Sequence, residues 1–148
     1  SPGKKKLVEK LGKENAAQNN LPDFGSGQGG IRWIVEDCIK FLHKEARRGN
    51  TYDGFVMDPP SYGRGPDGEV FKIEEQILNL FEALTKVLRE KPLLLHFSCH
   101  TPGFTPEVLK NLSLNAFPAL KSEPSEMGEM KVPSRAGFDV PSGFFFRA

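Results

Sequence analysis

The chain has 148 residues, of which 38% are hydrophobic, and this size suits one domain with a single core. Its net charge of +1 gives no overall field that would indicate a nucleic-acid partner. The two cysteines are too few for a disulfide framework and lack zinc-ligand spacing, which predicts a cytoplasmic protein without a metal site. No apolar stretch is long enough to span a bilayer, and the first residues resemble no signal peptide.

The first part of the chain alternates predicted helices and strands. A weak apolar stripe predicts a helix over 4–19, followed by a loop over 24–30. β-Branched residues predict a strand at Ile31–Glu36. The helix after it ends at Gly49-Asn50, and a central, buried strand then runs from Tyr52 to Met57.

The second part begins with a loop rich in Gly and Pro over 61–70 and ends in two strands. The clearest helix follows this loop and carries apolar residues at helical spacing: Ile73, Ile77, Leu80, Phe81, Leu84 and Leu88. After it we expect a strand at Leu93–Phe97 and a helix capped by Thr105. The last two strands are predicted at 127–132 and 138–146 with no helix between them. This order predicts an α/β fold whose mostly parallel sheet has an antiparallel C-terminal hairpin.

The end of the central strand carries most of the functional information. Asp58 follows an apolar run, so it should lie at the carboxyl edge of the sheet, where open α/β folds bind ligands. Pro59 and Pro60 fix their φ angles and offer carbonyl groups without a competing N–H. Such a rigid row of acceptors suits an amino group or the edge of a ring. The alternative is an ordinary loop with a solvated aspartate.

A second carboxylate, Asp37, ends the preceding predicted strand. It can accept a hydrogen bond from an exocyclic amino group while the backbone N–H of Cys38 donates to a ring nitrogen, as an adenine site requires. Aspartate is equally well a helix N-cap at this position.

Two nucleotide-binding patterns fail on their context. Residues 25–30 fit G-x-G-x-x-G, but they follow a helix and precede a strand, which favours a flexible loop over a phosphate site and leaves nicotinamide chemistry without support. Phe55–Asp58 resembles a Walker B strand, but the chain contains no G-x-x-x-x-G-K-[ST].

Ser98-Cys99-His100 ends the next predicted strand, on the same sheet edge as Asp58. A thiol beside an imidazole could act as an activated nucleophile. Adjacent residues of an extended segment point to opposite sides, so Cys99 and His100 need not touch. A packed cysteine and a loop histidine are the simpler interpretation.

The order of these elements, with Asp37-Cys38 after one strand and Asp58-Pro-Pro-Ser-Tyr62 after the next, resembles a class I S-adenosylmethionine-dependent methyltransferase. The stretch from Asp58 to Glu74 is similar to a subgroup allied to the large-subunit ribosomal RNA methyltransferases. The resemblance implies a Rossmann-like methyltransferase fold, S-adenosylmethionine (SAM) as cofactor, and a nucleobase in ribosomal RNA as substrate.

The resemblance also implies a role for each matching residue. Asp37 and Cys38 would contact the adenine of the cofactor, and Asp58 would also lie next to the cofactor. Asp58, Pro59 and Pro60 would line the target-base pocket as the catalytic residues. Some relatives that methylate C5 of cytosine place a catalytic cysteine where Cys99 stands. The expected contacts with the substrate are made by Ser61, Tyr62, Arg64 and Lys72.

The first strand of that family, its Gly-rich turn and its second strand have no counterpart in the sequence. We therefore expect 1–148 to be the C-terminal part of a single methyltransferase domain, with the N-terminal part of the same domain as its partner. Alone, it would bind SAM weakly or not at all, and Ile31–Glu36 would have to pair elsewhere or stay unpaired. The alternative is a non-catalytic fragment or binding module of the same fold.

Overall fold

A computed structural model describes residues 2–22, 29–64 and 70–148, with side chains from residue 6 onward. The chain divides into two compact units, Ser1–Asp37 and Cys38–Ala148. The predicted loop at 24–30 lies outside the described residues except for its last two glycines.

The first unit contains helix α1 (Pro2–Gln18), and its other described residues form no further helix or strand. The prediction of a strand at Ile31–Glu36 is wrong, because only Ile31 makes an isolated bridge there. Instead, Trp33 packs so closely on α1 that a Cβ at Gly12 would lie 2.7 Å from its ring. β-Branched residues favour extended backbone, but a strand also needs a partner for its hydrogen bonds.

The second unit contains three helices and six strands among its described residues. The helices are α2 (Cys38–Arg48), α3 (Ile73–Thr85) and α4 (Pro106–Ala116), and a 3₁₀ helix follows at Pro118–Ser122. The strands are β1 (Gly54–Met57), β2 (Tyr62–Arg64), β3 (Val70–Lys72), β4 (Leu94–Cys99), β5 (Glu126–Val132) and β6 (Val140–Arg147).

Four strands form one mixed sheet in the order β1-β4-β6-β5. Strands β1 and β4 are parallel, with Gly54 opposite Leu94 and Met57 opposite Phe97. Strand β6 runs antiparallel to both β4 and β5, so the predicted C-terminal hairpin is confirmed, and with it the α/β fold class.

The core lies on one face of this sheet. Alternate residues of β4 are fully buried there, and Phe97 meets Phe81 of α3 edge-to-face at 5.5 Å. Helix α4 adds Leu109, and β6 adds Phe146 to the same cluster. The period of two along β4 therefore separates core residues from the opposite face, where Val56 of β1 is 70% exposed.

The segment predicted as a loop at 61–70 is partly a hairpin. Strands β2 and β3 pair antiparallel, with Tyr62 opposite Lys72 and Arg64 opposite Val70. Each strand has only three residues, which is too short for a periodic pattern in the sequence. Residues 65–69 between them lie outside the described part of the chain.

Candidate active site

The parallel pairing of β1 and β4 brings the carboxyl ends of two strands together, as the sequence predicts. Asp58 directly follows β1, and Ser98 is the penultimate residue of β4. The hydroxyl of Ser98 donates to Oδ1 of Asp58 at 2.9 Å, and it also lies 3.4 Å from the carbonyl oxygen of Met57. Ser98 thus anchors one oxygen of an otherwise exposed carboxylate.

His100, the first residue after β4, approaches the same carboxylate. Its Nε2 lies 3.6 Å from Oδ1 of Asp58, and about half of each side chain is exposed. This distance is too long for a hydrogen bond, but the two groups attract each other whenever the imidazole is protonated. Hydrogen bonds in active sites are often long without ligand and shorten when it binds.

Gly143 of β6 makes room for the His100 ring. A Cβ at this position would lie 2.9 Å from Nδ1 of His100 and 2.5 Å from the carbonyl oxygen of Cys99. Its φ of +81° is also in the left-handed region, which side chains other than glycine's rarely adopt. Both the space and the backbone conformation therefore require glycine here.

The segment after Asp58 is held at Ser61. The Ser61 and Thr101 hydroxyl oxygens are 2.7 Å apart, so one donates to the other, and the Ser61 carbonyl accepts from the N–H of Ile73 at 3.2 Å. These bonds tie the loop after β1 to the turn after β4 and to the start of α3. Pro59 and Pro60 lie between two anchored residues, Asp58 and Ser61, on a short stretch of fixed φ.

Cys99 lies on the other side of the β4 backbone from His100. It is fully buried in the core, and its Sγ accepts from the N–H of Thr101 at 3.4 Å. The alternation along an extended strand thus separates the thiol from the imidazole, as the sequence indicates.

The three remaining candidates for substrate contact lie on the β2–β3 hairpin. Tyr62 is half exposed, and its hydroxyl oxygen accepts from Nε of Arg64 at 2.8 Å. Lys72 donates to Glu75 of α3 at 2.9 Å, and this bond raises the pKa of the lysine. The hairpin therefore presents an aromatic ring and two cations near the anchored loop.

Asp37 immediately precedes α2, and Cys38 is the first residue of that helix, with an exposed thiol. Asp37 is the last residue of the first unit. Its placement is that of an N-cap residue, which is one of the two roles that the sequence leaves open.

A second carboxylate cluster lies at the amino end of β1 and was missed by sequence reasoning. Glu45 of α2 is buried and accepts from the Tyr52 hydroxyl at 2.6 Å, from Nδ2 of Asn50 at 2.7 Å and from Nη1 of Arg48 at 2.8 Å. These donors, led by Tyr52, lower the pKa of Glu45 from 4.5 to about 2. The available signal was its position three residues after Leu42, on the buried face of the helix.

Among the described residues, no three His, Cys, Asp or Glu side chains come together as a metal site would require. In the same residues, no helix has the length and apolar content to cross a membrane.

Two methyltransferases are among the solved structures that the chain resembles. A SAM-dependent methyltransferase from Agrobacterium tumefaciens superposes with a TM-score of 0.72 at 27% identity over 91% of this chain and 43% of its own. SMU.776, a protein assigned to the methyltransferases and solved in complex with SAH, gives a TM-score of 0.52 at 21% identity over 77% of this chain and 30% of its own. The chain has a methyltransferase fold. It spans less than half the length of either structure.

No family model matches the chain. A stretch of 52 residues is 36% identical to the interleukin-1 receptor type 1 of Rattus norvegicus, over 32% of this chain and 9% of the receptor. That stretch is too short to extend over the methyltransferase fold, so it carries no argument about function.

Proposed function

We propose that this chain belongs to a SAM-dependent methyltransferase that modifies a nucleobase in RNA, and more narrowly in ribosomal RNA. The observation that carries the proposal is Asp58, an exposed carboxylate at the carboxyl end of a parallel strand, followed by two prolines. The fold of this chain, shared with SAM-dependent methyltransferases, supports the cofactor.

The loop after β1 offers groups that can bind the base that accepts the methyl group. Oδ1 of Asp58 is occupied by Ser98, while no donor from the described residues reaches Oδ2. Oδ2 and the Pro59 carbonyl can therefore accept from the amino group of a base and point its nitrogen lone pair at the methyl donor. Catalysis then rests on proximity and alignment, and bound SAM supplies the electrophilic methyl group.

The buried position of Cys99 favours this acceptor over a pyrimidine carbon. Methylation at C5 of a pyrimidine needs an accessible thiolate that adds to C6 of the ring and makes C5 nucleophilic, and Cys99 faces the apolar core instead. We therefore assign the amino nitrogen, and not a ring carbon, as the methylated atom.

The proposed RNA substrate rests on the hairpin and on the resemblance of the sequence from Asp58 to Glu74. Tyr62 offers a ring on which an unstacked base can lie, and Arg64 and Lys72 offer charge for the phosphates beside it. The net charge of +1 agrees with a local contact and not with an extended basic surface.

In our proposal, binding of SAM requires residues beyond 1–148. Asp37 and Cys38 would contact the adenine, while the contacts with the methionine and ribose would come from another part of the same domain. The chain spans 43% of the Agrobacterium structure, which leaves most of that protein without a counterpart here. Calorimetry with SAM on residues 1–148 should accordingly detect no binding at micromolar concentration, and micromolar binding would contradict this part.

The decisive experiment compares the two aspartates that flank β1. In the complete protein, Asp58→Ala should lower methyl transfer to RNA by at least about a hundredfold, because the acceptor loses its orienting carboxylate. Asp53→Ala is the matched control: Asp53 is equally exposed but lies before β1, where it pairs with Arg89 at 2.7 Å. Retained activity in Asp58→Ala would refute the proposed role, and an inactive wild-type protein would favour the binding module.

A further inference from the structure

We propose that His100 is a positioning residue that holds the Asp58 carboxylate with Oδ1 turned inward and Oδ2 turned toward the acceptor. This inference rests on the proposed function, which gives Asp58 an acceptor to orient. It assigns a role to a histidine that the sequence presents as an ordinary loop residue.

The first observation is that both described contacts of Asp58 fall on the same oxygen. Ser98 donates to Oδ1 at 2.9 Å, and Nε2 of His100 lies 3.6 Å from Oδ1. A carboxylate held by one hydroxyl alone can still rotate about its terminal torsion, which is broad. The attraction of the His100 imidazole to the same oxygen restricts that rotation and leaves Oδ2 directed outward, and the 3.6 Å separation can shorten to a hydrogen bond when a ligand binds.

The second observation is that the backbone at Gly143 leaves a space that holds the His100 ring, which we call its seat. The Nδ1 edge lies against the backbone of β6 at Gly143, where a Cβ would approach it to 2.9 Å. With one edge against this backbone, the opposite nitrogen, Nε2, is the one that faces Asp58. The seat thus fixes which end of the imidazole meets the carboxylate.

The third observation is that the pairing of the sheet brings both residues to the same edge. His100 follows β4 directly, and Asp58 follows β1, whose residues pair in parallel register with those of β4. The bond between Ser61 and Thr101 joins the same two connections, three residues after Asp58 and one residue after His100. His100 is therefore placed by the backbone and does not depend on a flexible loop.

The test uses two amides that mimic different nitrogens of the ring. The amide nitrogen of glutamine reaches the position of Nε2, whereas that of asparagine reaches only the position of Nδ1. In the complete protein, His100→Gln should keep kcat for RNA methylation within about threefold, while His100→Asn and His100→Leu should lower it about tenfold or more. The KM for SAM should not change in any of the three.

The matched control is His43, an exposed residue of α2, for which His43→Leu should leave kcat and KM unchanged. Equal activities of His100→Gln and His100→Asn would overturn the proposal, because a purely structural role does not distinguish the two amides. A change confined to KM for SAM would overturn it as well.

A second measurement needs no methyl transfer. In ¹⁵N NMR of the imidazole rings, the Nε2 resonance of His100 should move in Asp58→Asn and stay in place in Asp53→Asn. An unchanged resonance in Asp58→Asn would show that the pair does not form and would refute the proposal. If the wild-type protein methylates no RNA but the resonance moves, the proposed function fails and the assigned contact between His100 and Asp58 stands.

Discussion

One carboxylate lies near each end of strand β1, and the two differ in how many hydrogen bonds they accept from the described residues. At the amino end, Glu45 is buried and accepts three hydrogen bonds from Tyr52, Asn50 and Arg48. At the carboxyl end, Asp58 is exposed, and among the described residues only Ser98 donates to it, on one of its two oxygens.

This difference separates a structural carboxylate from one that can still bind a ligand. A buried carboxylate that accepts several hydrogen bonds within the protein stabilises the fold and has little capacity left for a substrate. On Asp58, one oxygen meets no donor from the described residues and so can accept from a ligand. The two carboxylates should therefore respond differently to substitution.

The largest effect on stability is expected at Gly143, beside the His100 ring. Gly143→Ala should destabilise the protein by about 3 kcal/mol, because the new Cβ overlaps the Cys99 carbonyl and the left-handed backbone is strained. Gly137→Ala is the control, since its φ of +85° gives the same strain with no atom within 4 Å, and about 1 kcal/mol is expected there. Chemical denaturation measures both values, and equal losses would show that the close contact is not real.

The next effect contrasts the two carboxylates directly. Glu45→Ala should lower the melting temperature by about 5 °C, because a buried side chain loses its packing and the three hydrogen bonds that it accepts. Asp58→Ala should change it by less than about 1 °C, since its side chain is exposed. Thermal unfolding followed by circular dichroism would contradict the comparison if the two variants melted together.

A smaller effect should appear in the pH dependence of stability. The folded-state pKa of Glu45 is about 2 and its ordinary value is 4.5, so its charge stabilises the fold above pH 4.5. That contribution is lost as the pH falls from about 4.5 to 2. The difference in melting temperature between wild type and Glu45→Gln should thus be constant from pH 7 to about pH 5 and shrink by pH 3, and a constant difference throughout would contradict the assignment.

The smallest effect concerns a buried hydroxyl that has no hydrogen-bond partner within the described part of the chain. Ser113 of α4 is fully buried, and its hydroxyl finds no hydrogen-bond partner among the described residues. Ser113→Ala should therefore be neutral or stabilise the protein by up to about 1 kcal/mol, whereas Tyr52→Phe, which removes a used hydroxyl, should destabilise it. Denaturant titration of both variants tests this opposite sign.

Local sequence signals predicted the parts of the fold that depend on neighbouring residues. The run ending at Asp58, the cap at Thr105 with Pro106 after it, and the C-terminal hairpin are all present. The β2–β3 hairpin was missed because its strands are short, and the strand at Ile31–Glu36 was wrong because propensity alone supplies no pairing partner.

The site was predictable only in outline. Parallel strands imply that Asp58 and Ser98 end on one edge, but the bond between them depends on the register of β1 and β4. The seat at Gly143 depends on how β6 packs beside β4, which no local pattern encodes. Glu45 was missed because charged residues of a helix are ordinarily solvated, and only its three partners make burial favourable. The roles of the individual site residues stay predictions.

The central position of β6 also determines the order in which the site can assemble. Strand β5 precedes β6 in the chain but joins the sheet only through it, and β6 pairs with β4, which lies roughly fifty residues earlier in the sequence. A ribosome therefore releases Asp58, Ser98 and His100 well before it releases Gly143. The helices can form early during synthesis, but the sheet edge that carries Asp58 and His100 is complete only when β6 pairs with β4.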